Sequence, residues 1–385
     1  MKPANAILSS YGTTIFTVMS ALATEHNAIN LGQGFPDEEG PVDIRRIAAD
    51  AVREGPNQYP PMLGLPELRE AVADHNKRFY DLEVDWRSEV MVTSGATEAL
   101  ADCFLGLIEP GDEVVLIEPL YDSYLPMVRR AGGVPKLVRM EPPHWALPRV
   151  ELEAAFSEKT KLLVLNSPHN PAGKVLAAEE LRFLADLVQA FDAYAVCDEV
   201  YEHLVFDDRA HIPLMTVPGM RDRTLRIGSA GKTFSTTGWK VGYVTAPPPL
   251  LTAAVKAHQF VTFTTPPNLQ RATAYGLRKD RAYFQDLAAT QQRKRDRLSA
   301  GLRDAGFEVL ESGGSYFVTV DIRTSGFNGS DVDFCRHITT EAGVAAVPVS
   351  AFYQNDGPTH FVRFCFCKRD DVLDEACLRL RRHFR

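Results

Sequence analysis

Seven short apolar runs, EVMVTS, DEVVLIEP, PKLVRM, KLLVLNSP, YAVCDEV, TLRIGSA and VGYVTAP, lie between residues 88 and 247 and alternate with segments of helical pattern. Several lack the period-two alternation of a strand with one wet face. Uninterrupted apolar strands separated by helices are what a sheet covered on both faces requires, because parallel neighbours need a crossover and the crossover helices bury both surfaces. The pattern predicts a mostly parallel α/β sheet of about seven strands. Helices are expected at ATEALADCFLGLI, AAEELRFLADLVQAF and PLLTAAVKAHQF. After Pro266 and Pro267 a long charge-dense stretch reads as two helices or one connecting helix, with its mixed charges on a solvated face. Beyond Gly306 the order shortens to strand, helix, strand, strand, helix, a smaller α+β unit. Residues 1–45 hold no core pattern of their own and are expected to pack on something else. The expected division is an N-terminal arm with part of the small domain at 1–45, a large α/β domain at 46–285 and a C-terminal small α+β domain at 286–385.

With 385 residues, 45% of them apolar, the chain can bury a large core. Its 42 Lys and Arg against 50 Asp and Glu give a net charge of -8, so neither nucleic acid nor an anionic membrane is an expected partner. No run reaches the roughly 18 apolar residues of a membrane span. IFTVMSALA could pass as the apolar part of a secretory signal, but SSYGTT interrupts it and TEHN follows at once. Cys365 and Cys367, one residue apart, would point the same way in a strand, with no second pair or nearby histidine to complete a zinc set. Free thiols in a reducing, cytoplasmic setting are the expectation, with no metal.

In open α/β sheets ligands gather beyond the carboxyl ends of the strands, so the residues after each run are the candidates. After EVMVT, the segment SGATEAL offers Gly95 for a free backbone, and Ala96 and Thr97 for N–H groups and a hydroxyl facing an anion. An ordinary Ser/Thr helix cap with Glu98 in the first turn fits the same residues. SPHNPAG is an irregular turn in which Asn170 presents both donor and acceptor and His169 is a turn residue. YAVCDEV ends in Asp198, a carboxylate costly to bury without a protein cation, a bound cationic group or a metal. TLRIGSA delivers Lys232 among Ser229, Gly231, Thr233 and Ser235 as a phosphate ligand, an amine nucleophile or the salt-bridge partner of Asp198; burial and nearby Lys240 would favour its neutral form. An anion cradle, an amide, a buried carboxylate and a lysine at strand ends of one sheet together fit pyridoxal 5'-phosphate, whose imine the lysine forms and whose pyridine nitrogen the acid keeps protonated.

SGATEAL, NSPHNPAG, CDEVYEHLVF and SAGKTFSTTGWKVGY, in this order along the chain, resemble the signatures of class I/II aminotransferases of the pyridoxal-phosphate-dependent transferase fold type I. LGQGFPDEEGP, NQYPPMLGLPELR, IEPLYDSY and VRFCFCKRDD are similar to the kynurenine, glutamine and methionine aminotransferases and to N-succinyldiaminopimelate aminotransferases. The resemblance implies that Lys232 carries the cofactor as an aldimine in a ping-pong transfer and shuttles the Cα proton. It implies that Asp198 pairs with the pyridine nitrogen and that Asn170 and Tyr201 bond the ring oxygen. Tyr121 is implied to stack on the ring, with Gly95, Ala96, Thr97, Ser229 and Lys240 at the phosphate. Tyr59 would reach a phosphate across a homodimer interface. Arg363 would grip the substrate carboxylate with help from Asn170, near Gly34, with Phe35 bordering the side-chain pocket. Small-molecule amino acids and 2-oxo acids are the implied substrates, the amino acid having an apolar, aromatic, methionine-like or glutamine-like side chain.

The same residues would also serve a β-lyase acting on cysteine S-conjugates, or transfer from succinylated diaminopimelate, which would need extra polar or cationic contacts. A regulatory protein without turnover would need an appended domain, for which residues 1–45 are too short. A metal-dependent enzyme lacks an evident ligand cluster in the sequence.

Overall fold

All seven runs form strands of one sheet in the computed structural model, which describes residues 2–385. They are β1 (Val90–Thr93), β2 (Glu113–Glu118), β3 (Val134–Arg139), β4 (Thr160–Asn166), β5 (Tyr194–Asp198), β6 (Thr224–Ser229) and β7 (Gly242–Thr245), in the spatial order β1-β7-β6-β5-β4-β2-β3. Only β7 runs antiparallel to its neighbours, so the mostly parallel expectation holds. The uninterrupted apolar runs have their predicted cause. Along β4, Leu163 and Leu165 enter the core on one face while Leu162 and Val164 enter the core on the other. Successive side chains of a strand point to opposite faces, so a sheet dry on both sides needs apolar residues at every position.

The 1–45 segment packs as expected on another part of the chain. Helix α1 (Ile15–Glu25) contributes Met19 to a core shared with Phe317, Val344 and Phe364, and Ile29–Asn30 pairs in parallel with Val344–Ala345. Helix α2 (Gly95–Leu107) follows β1 and packs against α3 (Pro248–Val261). The long charged stretch divides into α4 (Pro267–Leu277) and α5 (Arg281–Asp304). Its charges are not all solvated: Lys294 and Arg295 are buried, Lys294 against Glu38 and Arg295 against Asp207 across a 2.8 Å contact. A periodic pattern cannot separate a paired buried cation from a wet one, because long aliphatic stems satisfy either setting. The smaller unit is an antiparallel sheet of β8 (Glu308–Val309), β9 (Phe317–Asp321), β10 (Val347–Pro348) and β11 (Phe361–Cys365), ordered β10-β11-β9-β8 and backed by α6 (Asp370–Phe384). No helix among the described residues is long and apolar enough to cross a membrane.

Strand register sets up the site. Asn166 at the end of β4 is level with Asp198 at the end of β5, and Gly242 is level with both Ser229 of β6 and Thr93 of β1. The ends of β4 and β5 thus finish level with each other, those of β6 and β1 two residues further along, and the residues that follow them share one crevice. Arg363 arrives from the small unit, held in β11 between Thr319 and Val347.

Candidate active site

Of the fourteen site residues the sequence singled out, thirteen line a single cavity of about 370 Å³. They are Gly34, Phe35, Gly95, Ala96, Thr97, Tyr121, Asn170, Asp198, Tyr201, Ser229, Lys232, Lys240 and Arg363. Tyr59 lies outside it, 82% exposed, with its ring edge-on to Phe263 at 5.7 Å.

Lys232 sits on the one-turn helix Ala230–Thr233 that follows β6, whose first turn is capped by Ser229 Oγ accepting the Gly231 N–H at 3.2 Å. Two contacts fix it. Tyr316 Oη donates to the Lys232 carbonyl oxygen at 2.5 Å, and Lys232 Nζ donates to the Gly34 carbonyl oxygen at 3.0 Å. No ion pair joins Lys232 to Asp198 among the described residues, so the structural salt bridge weighed from the sequence does not form. Burial pushes the Lys232 amine below the ordinary lysine range, with Arg363 adding to the shift and Cys367, Cys365 and Asp198 opposing it.

Asp198 is buried at the end of β5. Its Oδ2 accepts from Tyr124 Oη at 2.6 Å, while Oδ1 is buried with no partner. Burial holds this carboxyl above the usual range, and the Tyr124 hydroxyl and Val200 N–H pull against that. A buried acceptor without a donor costs about 1–3 kcal/mol, so Oδ1 marks a place where a protonated group belongs. Tyr124 escaped the sequence reading, although it stands one helical turn after Tyr121 in YDSY.

The end expected to meet an anion is a stretch of tight backbone. Gly95 has φ +77°, and a Cβ there would lie 3.1 Å from Lys240 Nζ; a Cβ on Gly242 would come within 2.6 Å of the Gly95 carbonyl carbon. Glycine at both positions lets β7 lie directly against the start of α2 with Lys240 beside it. The Ser/Thr cap weighed from the sequence is half realised. Ser94 makes no side-chain cap bond, but Glu98 accepts the Ser94 N–H.

Arg363 is buried on all sides. Its Nη1 donates to Asn170 Oδ1 at 2.7 Å and its Nη2 to the Gly32 carbonyl at 2.6 Å, with Phe317 stacked 3.9 Å from the guanidinium carbon. Burial pushes it down to about 10, which leaves it cationic at neutral pH, and Nε has no partner. Asn170 is itself placed by Asn166, whose Oδ1 accepts the Asn170 N–H at 2.8 Å and whose Nδ2 donates to the Asp198 carbonyl at 2.9 Å. Phe16 of α1 and Asp122 also line the cavity, as does Gln33, and none was singled out from the sequence. Opposite Phe35, Lys368 Nζ donates to the Phe35 carbonyl at 2.9 Å.

Among the described residues, folding also gathers two groups with no signal in the sequence, His75 with Glu202 and His203, and Glu98 with Asp102 and His258. Neither includes Asp198, and their members come from segments up to 160 residues apart. The six cysteines are free, and Cys365 and Cys367 do point the same way, with sulfurs 3.1 Å apart.

The Tyr124 contact makes a separable prediction. In Tyr124→Phe, Asp198 loses a donor to its charged form, so its pKa rises further and activity should be lost from the acid side at a pH about one unit higher than in the parent. Overlaying the two pH–rate profiles checks this, and superimposed acid limbs would remove Tyr124 from the site.

The chain matches the family described as Aminotransferase class I and II over residues 26–380. It is 41% identical to the methionine aminotransferase of Escherichia coli over 374 residues, covering 97% of each chain. It is 39% identical to the kynurenine–oxoglutarate transaminase of Dictyostelium discoideum, covering 96% of this chain and 93% of that one. The solved structure of N-succinyldiaminopimelate aminotransferase from Mycobacterium tuberculosis superimposes with a TM-score of 0.95 at 45% identity, covering 98% of this chain and 99% of that one. With a lysine, a buried carboxylate and an anion cup meeting at the strand ends of a fold type I sheet, the chain belongs to the class I and II aminotransferases, pyridoxal 5'-phosphate-dependent enzymes that transfer amino groups of amino acids by way of an active-site lysine.

Proposed function

We propose that the chain moves the amino group of an L-amino acid with a neutral side chain, apolar, aromatic, methionine-like or glutamine-like, to a 2-oxo acid in two half-reactions. The cavity's charges carry this reading. Among the described residues its cations are Lys232, Lys240 and Arg363, each matched to a need of the cofactor or of the α-carboxylate, and Asp122 adds an exposed carboxylate. A second carboxylate on the substrate would find no further cation among the described residues of the cavity and a like charge nearby. Phe16, Phe35 and Phe317 supply apolar wall.

The residues fit pyridoxal 5'-phosphate: Asp198 Oδ1 is a buried acceptor without a donor, as a protonated ring nitrogen would need, and the bare Gly95 backbone beside Lys240 Nζ leaves room for an anion. The Gly95–Thr97 backbone, Ser229 and Lys240 would hold the phosphate, Asn170 and Tyr201 the ring oxygen, and Tyr121 the ring face. When bound, the cofactor supplies an electron sink for the substrate's Cα carbanion. Lys232 Nζ would take the proton from the substrate Cα and hold it for return, work for which an amine with a depressed pKa is suited. Asp198 keeps a proton on the ring nitrogen. The Arg363 fork grips the α-carboxylate in both half-reactions and so fixes which Cα bond faces Lys232. Tyr59, with Phe260, Val261 and Phe263, forms an exposed apolar patch outside the cavity, which supports a homodimer in which Tyr59 serves the phosphate of a second copy.

A donor panel tests the substrate reading, with methionine, glutamine, phenylalanine, kynurenine and N-succinyl-L,L-diaminopimelate offered against several 2-oxo acids. Neutral donors should exceed the succinylated one by on the order of tenfold or more in kcat/KM. The opposite order overturns the reading, and pyruvate released from cysteine conjugates without amino transfer would make the enzyme a β-lyase.

A further inference from the structure

His258 is buried inside α3 and does not line the cavity, yet it joins two segments beside the cofactor site. Its Nδ1 lies 2.8 Å from Glu98 Oε1, and its Nε2 lies 3.0 Å from the carbonyl oxygen of Met62. A carbonyl oxygen can only accept, so Nε2 carries a proton. Glu98 accepts the Ser94 N–H through Oε2, and the donors around it hold its carboxyl below the ordinary range, so Oε1 accepts too, Nδ1 donates and the ring is an imidazolium. With both nitrogens donating, no lone pair remains for a metal, and the group of Glu98, Asp102 and His258 is an ion cluster rather than a metal centre.

The links form one chain from the Met62 carbonyl through His258 and Glu98 to the Ser94 N–H. Ser94 is the residue before Gly95, so this end sets the first peptide of the anion cup. Met62 is three residues from Tyr59, so the other end anchors the segment that bears Tyr59. Asp102 stands aside from this line, its nearer oxygen 3.6 Å from Nδ1 and both oxygens without a hydrogen-bond partner.

We propose that His258 is a positioning residue for the cofactor phosphate, holding the Gly95 cup and the Tyr59 segment in register through Glu98 and Met62. The proposal rests on the cofactor reading above. The groups around the imidazole agree with it. Burial opposes its charge, but Asp102 and Glu98 outweigh burial and push it up to about 10, while burial pushes Asp102 up to about 6. Glu98 stays below the ordinary range because donors from His258, Thr262 and Ser94 outweigh its own burial.

The test is cofactor affinity of the apo-protein, measured by absorbance titration with pyridoxal 5'-phosphate and, separately, with pyridoxal, which lacks the phosphate. His258→Gln and Glu98→Gln should each raise the dissociation constant for the phosphorylated form about tenfold or more and leave that for pyridoxal within about threefold. The double variant should be no worse than the single ones, since both break one chain. Asp102→Asn should stay within about threefold of the parent. Equal weakening of both ligands would mean a general loss of structure, and unchanged affinity in folded His258→Gln would remove the role altogether. An Asp102→Asn effect as large as that of His258→Gln would likewise overturn the chain described here. Failure of the parent protein to bind the phosphorylated form would overturn the cofactor reading itself, a result distinct from these.

Discussion

Lys232→Ala should lose amino transfer by at least about 10⁴-fold, the upper end of what a positioned acid–base group contributes. No neighbour can take over. The cavity's other cations are Lys240, pressed against Gly95 at the cup, and Arg363, held by Asn170 and Gly32. The Arg363 guanidinium cannot move to the position of Lys232 Nζ without leaving the buried Asn170 Oδ1 and Gly32 carbonyl unpaired. The fold should survive, because the Lys232 side chain makes one hydrogen bond, to the Gly34 carbonyl, and burial already disfavours its charge. Stopped-flow rates of each half-reaction, with the visible absorption of lysine-linked cofactor, measure the effect. Turnover within about tenfold of the parent would move the proton transfer to another group.

Asp198→Asn is expected to cost on the order of 10³-fold in turnover, the scale for removing a group that holds charge in a preorganised site. The substitution keeps the shape and leaves an acceptor for Tyr124, but it removes the carboxylate proposed to keep a proton on the ring nitrogen. Its effect on stability has the opposite sign. Burial raises the folded-state pKa of Asp198, so the folded chain binds a proton more tightly than the unfolded one, and stability falls as pH rises from the unfolded value through the raised one. The asparagine variant lacks that penalty, and its apo form should melt no lower than the parent at pH 7. An active variant, or one whose melting temperature falls sharply, would contradict the assignment of Asp198 as a functional rather than a structural charge.

Much of the large sheet was legible because its pattern has a local cause: strands dry on both faces need apolar residues at every position. The strand-end residues were legible for a related reason, since a lysine or an aspartate following an apolar run is costly unless something meets it. What escaped was of two kinds. Tyr124 and Tyr316 are ordinary aromatic residues in any local reading, and only the fold brings one hydroxyl to Asp198 and the other to the Lys232 carbonyl. His258 gave no signal either, because its partners stand 160 and 196 residues away.

Taken alone, the sequence determined the sheet, the alternation of strand and helix, and the identities of the groups at the strand ends, all of which depend on neighbours in the chain or on the burial of a single side chain. The tertiary structure decided how those groups are used. Register put Asn166 beside Asp198 and Gly242 between Thr93 and Ser229, packing of the small unit brought Arg363 onto Asn170, and Lys232 turned to the Gly34 carbonyl rather than to Asp198. Hydrogen bonds between distant segments depend on distance and angle to a few tenths of an ångström, and no local pattern of residues carries that information.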